Sequence, residues 1–186
     1  MKNLTKSDFR KLCIKKLKFC SKIGKIKKDK FISKEILKVI EIEKAKNILL
    51  YIPLNIEVDV RNVINILRKK KNYRVYVPSM VGNSLEVVPF RLPLHKKKYN
   101  IYEPNNSNIK ARIDLAIVPI IGTDSTFRRI GFGVGFYDRF FATLKYKPKT
   151  VFTQLSLCKS EITLTQIHDI KSDYIITDKG TMIWNK

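Results

Sequence analysis

Apolar residues in the first quarter of the chain recur near the 3.6-residue period of an α-helix. Over residues 7–44 they form one face of a helical pattern, with lysines on the other face. These apolar positions are Phe9, Leu12, Cys13, Leu17 and Cys20, followed by Phe31, Ile36, Leu37, Ile40 and Ile42. The pattern predicts two amphipathic helices before the first strand.

Short apolar runs occupy much of the remaining chain, and three of them stop at a proline, as is typical of buried parallel strands. The predicted strands are residues 47–52, 73–77, 85–90, 113–118, 150–155 and 174–177, and the first, second and fourth end at Pro53, Pro78 and Pro119. Pro89 lies within the third run and cannot donate a hydrogen bond to a strand ladder. That strand therefore belongs at the edge of a sheet.

Helical segments alternate with these strands. Val60, Val63, Ile64 and Leu67 form an apolar stripe between the first two strands, and residues 136–144 are predicted to be helical. A strand–helix–strand unit forms a parallel sheet through a right-handed crossover. We therefore expect an α/β fold, specifically a three-layer α/β/α arrangement with a mostly parallel central sheet and two N-terminal helices. The chain has no repeat or linker, and its 186 residues, 44% of them hydrophobic, predict a single domain over residues 1–186.

Composition narrows the class of protein further. No apolar run approaches the roughly 18 residues of a membrane helix, and the N-terminal segment lacks the apolar region of a signal peptide. We therefore expect a cytoplasmic monomer without a membrane partner. Cys13, Cys20 and Cys158 contain no CxxC pair and leave an odd count. This favours buried thiols in a reducing compartment over a disulfide framework or a zinc site.

The charge balance raises the question of a polyanionic partner. Lysine and arginine total 38 against 16 acidic residues, which gives a net charge of +22. The lysines are spread along the whole chain, and the aromatic residues of a base-stacking surface are not interleaved with them. Solvated lysine on helix faces is therefore favoured over a nucleic-acid surface. The same charge would attract a polyphosphate or polyglutamylated substrate.

Residues 122–135 form a glycine-rich loop directly after a predicted buried strand, which is where ligands bind in open α/β sheets. Gly131, Gly133 and Gly135 alternate, so that backbone N–H groups can approach an anion closely and positive φ angles are tolerated. The helix that begins near Phe136 adds the positive end of its dipole. The loop therefore predicts a phosphate-binding site.

Charged residues flank this loop. Arg128, Arg129 and Arg139 can neutralise phosphate by bidentate hydrogen bonds, and Asp138 is placed to hold a Mg²⁺ ion that bridges phosphate oxygens. Alternating glycines also occur in tight turns and close helix packing, so the loop by itself leaves a structural role open. It matches neither a Walker A loop nor a dinucleotide-binding fingerprint.

The sequence RIGFGVGFYDR at 129–139 closely resembles the R-[LI]-G-x-G-x-G-[FY]-Y-D-R signature of the 5-formyltetrahydrofolate cyclo-ligase family, also called methenyltetrahydrofolate synthetases. Five further segments resemble family motifs in the same order. They are KSDFR at 6–10, YIPLNIEVD at 51–59, YNIYEP at 99–104, IDLAIVP at 113–119, and His168-Asp169 with Asp173. The six matches cover nearly the whole chain.

The resemblance implies an activity and a set of site residues. The activity is the cyclisation of 5-formyltetrahydrofolate to 5,10-methenyltetrahydrofolate with ATP and Mg²⁺, through an N5-iminium phosphate, with release of ADP and phosphate. The implied ATP contacts are Lys6, Arg10, Arg129, Gly131, Phe132, Gly133, Val134, Gly135, Phe136 and Tyr137; the folate contacts are Ile52, Glu57, Tyr99 and Tyr137; the Mg²⁺ ligands are Asp138 and Asp169. Arg129 and Tyr137 are the expected catalytic residues.

Several of these residues also fit structural roles. Glu57 fits the cap of the helix that follows it, Lys6 and Arg10 fit a solvated helix face, and His168 fits a structural role. The pattern also departs from the family. Thr123 stands where phenylalanine is usual, Phe127 where glycine is usual, and Val134 where glycine or lysine is common. The alternatives are a diverged member that binds nucleotide or nucleic acid, and an enzyme for another ATP-activated amide or carboxylate.

Overall fold

The computed structural model describes residues 4–97, 102–105 and 111–184. The helices in these parts are α1 (Lys6–Cys20), α2 (Lys25–Ile42), α3 (Arg61–Arg68) and α4 (Phe136–Thr143). The strands are β1 (Asn47–Leu49), β2 (Arg74–Val81), β3 (Ser84–Pro89), β4 (His95–Lys96), β5 (Tyr102–Glu103), β6 (Leu115–Pro119), β7 (Gly122–Thr123), β8 (Arg129–Ile130), β9 (Lys149–Thr153), β10 (Tyr174–Thr177) and β11 (Gly180–Ile183).

Seven strands form one sheet in the order β11-β10-β9-β6-β1-β2-β3. The five central strands are parallel, and β3 and β11 pair antiparallel at the two edges. The prediction of a mostly parallel central sheet is confirmed, and β3 lies at an edge, as Pro89 predicted. From β1 the chain runs to β2 on one side, whereas β6 pairs with the other side of β1. In such sheets ligands bind in the crevice where the strand order reverses, which here lies at the carboxyl ends of β1 and β6.

Helices cover both faces of this sheet. Successive residues of a strand point to opposite faces. Ile48 and Leu115 pack in one buried cluster with α1, α2 and α3, whereas the neighbouring Leu49 and Ala116 pack in a second cluster with Phe140 of α4. The predicted three-layer α/β/α architecture is therefore confirmed.

Local signals set the two N-terminal helices. The hydroxyl of Thr5 accepts a hydrogen bond from the N–H of Asp8 at 3.1 Å and caps α1. Gly24, with φ of 63°, separates α1 from α2 in a left-handed conformation that favours glycine. Both predicted helices are present. Among the described helices, none is long and apolar enough to cross a membrane.

Strand ends are where the sequence prediction and the structure differ. β2 continues through Pro78, which was expected to end it. Hydrogen-bonded and non-hydrogen-bonded residue pairs alternate along an antiparallel ladder. The carbonyl of Val75 accepts a hydrogen bond from the N–H of Phe90, so Pro78, three residues further along, lies in a non-hydrogen-bonded pair with Val87. The missing N–H of Pro78 therefore costs no bond to β3. β1 is shorter than the predicted run, and β11 was not predicted.

Two of the three cysteines form a disulfide between Cys13 of α1 and Cys158 after β9. The expectation of free thiols is wrong for this pair. The two residues are 145 positions apart, and only the docking of α1 beside β7 brings them together. Cys20 is free, as expected, but it is half-buried and not buried. The bond fastens α1 to the segment that follows β9.

Asp124 holds the loop after β7 in place. Its side chain is 0% exposed and accepts hydrogen bonds from the N–H and hydroxyl groups of Thr126 and Thr165 and from the N–H of Leu164. Burial raises the pKa of this carboxyl, but the hydrogen bonds from Thr165 and Thr126 outweigh burial and hold the pKa at about 2. The ionised Asp124 therefore ties residues 124–126 to residues 163–165.

Replacing this carboxylate should destabilise the fold in a pH-dependent way. We expect Asp124→Asn to lower the free energy of unfolding at pH 7 by about 2 kcal/mol, because buried donors lose their acceptor. The folded pKa lies below the unfolded value of about 3.9, so the stabilisation is complete above that value and is lost as the pH falls toward 2. The measurement is urea denaturation at pH 7, 5 and 3.

Exposed Glu161, in the same region of the chain, provides the matched control. Glu161→Gln should change the free energy of unfolding by less than about 0.5 kcal/mol. An equal loss of stability in the Asp124 variant at all three pH values would contradict the role of the ionised carboxylate.

Candidate active site

The glycine-rich loop is a wall between two cavities at the carboxyl ends of β1 and β6. Gly131, Gly133 and Gly135 line a cavity of about 450 Å³, which we call the polar cavity. Phe132 and Val134, between these glycines, line a cavity of about 260 Å³, which we call the apolar cavity. The loop therefore presents glycine backbone to one side and apolar side chains to the other.

The polar cavity combines cationic side chains with two carboxylates. Its remaining lining residues are Lys6, Arg10, Arg129, Asp138, Arg139, Ala142, His168 and Asp169. Four cations against two carboxylates leave excess positive charge, and α4 begins beside Gly135, which adds the positive end of its dipole. These features suit an anionic ligand with several phosphates.

Helix α1 brings the N-terminus of the chain into this cavity. Lys6 and Arg10 are four residues apart and share one helix face. The ammonium of Lys6 donates to both carboxylate oxygens of Asp169, at 2.8 and 2.6 Å. The guanidinium of Arg10 donates to the carbonyl of Gly131 at 2.7 Å. Elements from both ends of the chain therefore meet at the loop.

Asp138 and Asp169 both line the polar cavity. The N–H of Ile170, next to Asp169, donates to Asp138 at 3.2 Å. No group of three or more His, Cys, Asp or Glu side chains within the described part of the chain can hold a metal ion. Mg²⁺ takes oxygen ligands and usually binds through one or two carboxylates plus substrate phosphates. The two carboxylates therefore fit a magnesium ion that arrives with a polyphosphate.

Arg129 lines both cavities. It is 8% exposed, and its guanidinium lies 4.8 Å from the ring centroid of Tyr137 and 3.7 Å from the carboxylate of Asp138. A Cβ on Gly131 would lie 2.6 Å from this guanidinium, so any other residue there would require the Arg129 side chain to move. The cation therefore occupies the junction between the two cavities.

Apolar and aromatic side chains dominate the apolar cavity. Besides Phe132, Val134 and Arg129, it is lined by Tyr51, Ile52, Leu54, Glu57, Pro78, Met80, Leu85, Glu103, Pro119, Gly135, Phe136 and Tyr137. Tyr51 is buried, and its hydroxyl donates to the carbonyl of Val58 at 3.0 Å and contacts the hydroxyl of Thr153 at 2.9 Å. Burial also raises the pKa of Tyr137 well above its usual range. Both phenols are therefore neutral groups.

Glu57 is a carboxyl in this cavity whose pKa is shifted toward neutral pH. Burial raises its pKa to about 7, against the opposing effects of the Leu54 N–H and of Arg129. The Leu54 N–H donates to one carboxylate oxygen at 2.8 Å, and the side chain lines the cavity. Glu57 is thus more than a helix cap, since it reaches the ligand space.

Glu103 also lines the apolar cavity but was not among the predicted site residues. It is buried and accepts hydrogen bonds at 3.0 Å from the hydroxyl of Ser79 and the N–H of Met80. Its membership of the family-like segment at 99–104 was the available signal. Within that segment, only Tyr99 was predicted to contact the folate.

The predicted residues separate between the two cavities. Lys6, Arg10, Gly131, Gly133, Gly135, Asp138 and Asp169 line the polar cavity; Ile52, Glu57, Phe132, Val134, Phe136 and Tyr137 line the apolar cavity; Arg129 lines both, as Gly135 also does. The four apolar or aromatic loop and helix residues assigned to ATP therefore direct their side chains to the other cavity. Tyr99 lies outside the described residues. His168 is exposed on the wall of the polar cavity.

Solved structures of known proteins share this fold. The NMR structure of Aquifex aeolicus 5,10-methenyltetrahydrofolate synthetase superposes with a TM-score of 0.76 at 24% identity, over 97% of this chain and 93% of that one, which is a likeness of fold. The structure of a 5,10-methenyltetrahydrofolate synthetase from Mycoplasma pneumoniae gives a TM-score of 0.73 at 25% identity, over 94% of this chain and 99% of that one.

Sequence comparison agrees with the structural likeness. The 5-formyltetrahydrofolate cyclo-ligase of Mycoplasma pneumoniae is 25% identical over 177 residues, which cover 95% of this chain and 100% of the relative. The enzyme of the same name from Haemophilus influenzae is 29% identical over 117 residues, 58% of this chain and 62% of the relative. The model of the 5-formyltetrahydrofolate cyclo-ligase family matches residues 2–178. This chain therefore belongs to the 5-formyltetrahydrofolate cyclo-ligase family.

Proposed function

We propose that the protein converts 5-formyltetrahydrofolate to 5,10-methenyltetrahydrofolate with ATP and Mg²⁺ and releases ADP and phosphate. The observation that carries this proposal is the pair of cavities that meet at Arg129. A phosphoryl transfer needs the acceptor atom of one ligand to reach the phosphorus of the other, and the two cavities share Arg129 and Gly135 as lining residues. The polar cavity suits the nucleotide and the apolar cavity suits the folate.

The nucleotide side rests on charge and close backbone approach. Lys6, Arg10 and Arg129 supply positive charge, and the three loop glycines allow phosphates to approach the backbone. Asp138 and Asp169 would hold Mg²⁺, which supplies charge neutralisation at the β- and γ-phosphates when it is bound. We assign ATP to this cavity for these reasons.

The folate side rests on shape and on hydrogen-bond acceptors. A reduced folate has a flat aromatic portion and several N–H donors. Ile52, Phe132 and Tyr137 offer apolar and aromatic contact, and the carboxyl of Glu57 offers an acceptor once it is ionised. We therefore assign folate to the apolar cavity.

The chemistry then follows from these positions. The formyl oxygen attacks the γ-phosphorus, the bond from that phosphorus to the β-phosphate oxygen breaks, and ADP leaves. N10 adds to the activated formyl carbon and loses its proton, and the carbon–oxygen bond breaks as phosphate leaves. Catalysis consists mainly of positioning and charge stabilisation.

Three residues are assigned roles in the reaction. The guanidinium of Arg129, at the junction of the cavities, stabilises the charge on the transferred phosphoryl group. The ring of Tyr137 packs against that guanidinium and also lines the folate cavity. Glu57, with a pKa of about 7, can accept the proton released from N10.

The direct test is the formation of methenyltetrahydrofolate, followed by its absorbance, with and without ATP. We expect ATP-dependent product from the wild type. Asp138→Asn should reduce turnover roughly 100-fold, because a metal ligand is lost while the amide still accepts from Ile170. Exposed Glu41 on α2 gives the control, and Glu41→Gln should keep full activity. Absence of ATP-dependent product from folded wild-type protein would refute the function.

Because the loop separates the two cavities, variants of residues that line different cavities should change the KM of different substrates. Phe132→Ala should raise the KM for 5-formyltetrahydrofolate about tenfold and leave the KM for ATP within twofold, because the ring lines only the apolar cavity. Arg10→Ala should do the reverse, since Arg10 lines only the polar cavity. Steady-state kinetics with each substrate varied provides the measurement. Equal changes in both KM values would contradict the assignment of the cavities.

The raised pKa of Glu57 predicts a pH profile. Glu57 is ionised above pH 7, so kcat/KM for the folate should rise with pH and level off above about 7. Glu57→Gln should lower the plateau and remove this inflection. Ionisation of a buried carboxyl also disfavours folding, because the folded pKa of about 7 exceeds the unfolded value.

Stability gives an independent readout of the same group. As the pH rises from 5 to 8, the wild type should lose stability relative to Glu57→Gln, by up to about 3 kcal/mol. Urea denaturation of both proteins measures the difference. A wild-type pH profile without an inflection, together with a pH-independent stability difference, would show that Glu57 does not titrate in this range.

A further inference from the structure

A short antiparallel ladder sets the relative position of two sides of the polar cavity. The N–H of Arg129 donates to the carbonyl of Ile170 at 2.8 Å, and the N–H of Ser172 donates to the carbonyl of Phe127 at 3.1 Å. Arg128 and Lys171 form the bridge between them. One strand of the ladder therefore leads into Arg129, and the other directly follows Asp169.

The first residue of this ladder has an unusual backbone conformation. Phe127 has φ of 59°, in the left-handed region that a bulky residue seldom adopts. Its N–H donates to the carbonyl of Asp124 at 3.0 Å, and its carbonyl accepts from Ser172. A conformation of this kind persists only where the surroundings hold it. The contacts of Phe127 therefore determine whether the chain enters Arg129 in this register.

Trp184, at the end of β11, contacts both strands of the ladder. Its ring centroid lies 4.9 Å from that of Phe127, and the ammonium of Lys171 lies 3.7 Å from its ring centroid. The N–H of Trp184 donates to the carbonyl of Asp173 at 2.9 Å, which fixes the backbone beside the ladder. The indole therefore packs across the end of the ladder.

We propose that Trp184 and Phe127 are positioning residues for the nucleotide cavity. Trp184 is not among the residues that line either cavity, so it acts through the ladder and not by contact with a ligand. Its packing holds Phe127 in the left-handed conformation and fixes Arg129 relative to Asp169. This inference rests on the proposed binding of Mg-ATP in the polar cavity.

The test is the affinity for Mg-ATP, measured by calorimetry without folate, together with steady-state kinetics. Trp184→Ala should weaken Mg-ATP binding and raise its KM about tenfold, while the KM for the folate stays within twofold, because a small displacement of cavity groups is costly. Trp184→Phe should restore most of the affinity, because it keeps a ring against Phe127. Exposed Ile183, the preceding residue, gives the matched control, and Ile183→Ala should bind Mg-ATP like the wild type.

Phe127→Gly separates the effect of the ring from the effect of the backbone. Glycine adopts positive φ readily, so this variant relieves the unfavourable conformation but removes the contact with Trp184. We expect it to bind Mg-ATP within about twofold of the wild type, even when it is combined with Trp184→Ala, because glycine keeps positive φ without a ring to hold it. A tenfold loss of affinity in Phe127→Gly would overturn the role of the ring in holding this conformation.

Trp184 is the sole tryptophan of the chain, so its fluorescence reports on the ladder directly. Mg-ATP should change its emission in the wild type, and Phe127→Gly should abolish this change. Unchanged Mg-ATP affinity in Trp184→Ala, or a loss of affinity for both substrates that follows a lowered Tm, would overturn the inference. If the wild type itself does not bind Mg-ATP, the proposed function fails and not the ladder.

Discussion

The burial of the Arg129 guanidinium is the constraint on which the rest of the site depends. A cation that is 8% exposed has lost most of its hydration and would be strongly unfavourable without compensation. The carboxylate of Asp138, the face of Tyr137 and the carbonyl of Pro119, at 3.3 Å, provide that compensation. These groups come from the end of β6 and the first turn of α4. The loop between them therefore passes close to the guanidinium, and a Cβ at Gly131 would displace this cation from its position.

The same cation links the electrostatics of the two cavities. Burial raises the pKa of Glu57, and the hydrogen bond from the Leu54 N–H, followed by the charge of Arg129, opposes that rise, so that the pKa is about 7. Arg129 likewise lowers the pKa of Tyr137 against the larger effect of burial. A single buried charge therefore lines the polar cavity and also contributes to the pKa values of Glu57 and Tyr137 in the apolar cavity.

Periodicity and local signals were enough to predict most of the fold, because the central strands are buried on both faces and the helices keep one polar face. These signals failed at the positions whose structure depends on contacts between residues distant in sequence. Pro78 can lie within β2 because the pairing of β1 with β2 ends at Tyr76, so β1 does not need the N–H that proline lacks. Cys13 is bonded to Cys158 because α1 docks near β7. Neither fact is local in sequence. In the site, glycine alternation identified the loop, but it did not predict that Phe132 lines the apolar cavity.

The departures from the family pattern acquire physical meaning once the two sides of the loop are distinguished. Val134 stands where glycine or lysine is common, yet its side chain lines the apolar cavity, so its bulk does not narrow the polar cavity. Phe127 stands where glycine is usual, and its positive φ explains that preference. Its ring has Trp184 as a partner. The loop residues that line the polar cavity, Arg129, Gly131, Gly133 and Gly135, match the family signature, and these two departures lie on the apolar side of the loop and at the ladder. These two departures therefore change the ladder and the apolar cavity, and they leave the cationic residues of the polar cavity unchanged.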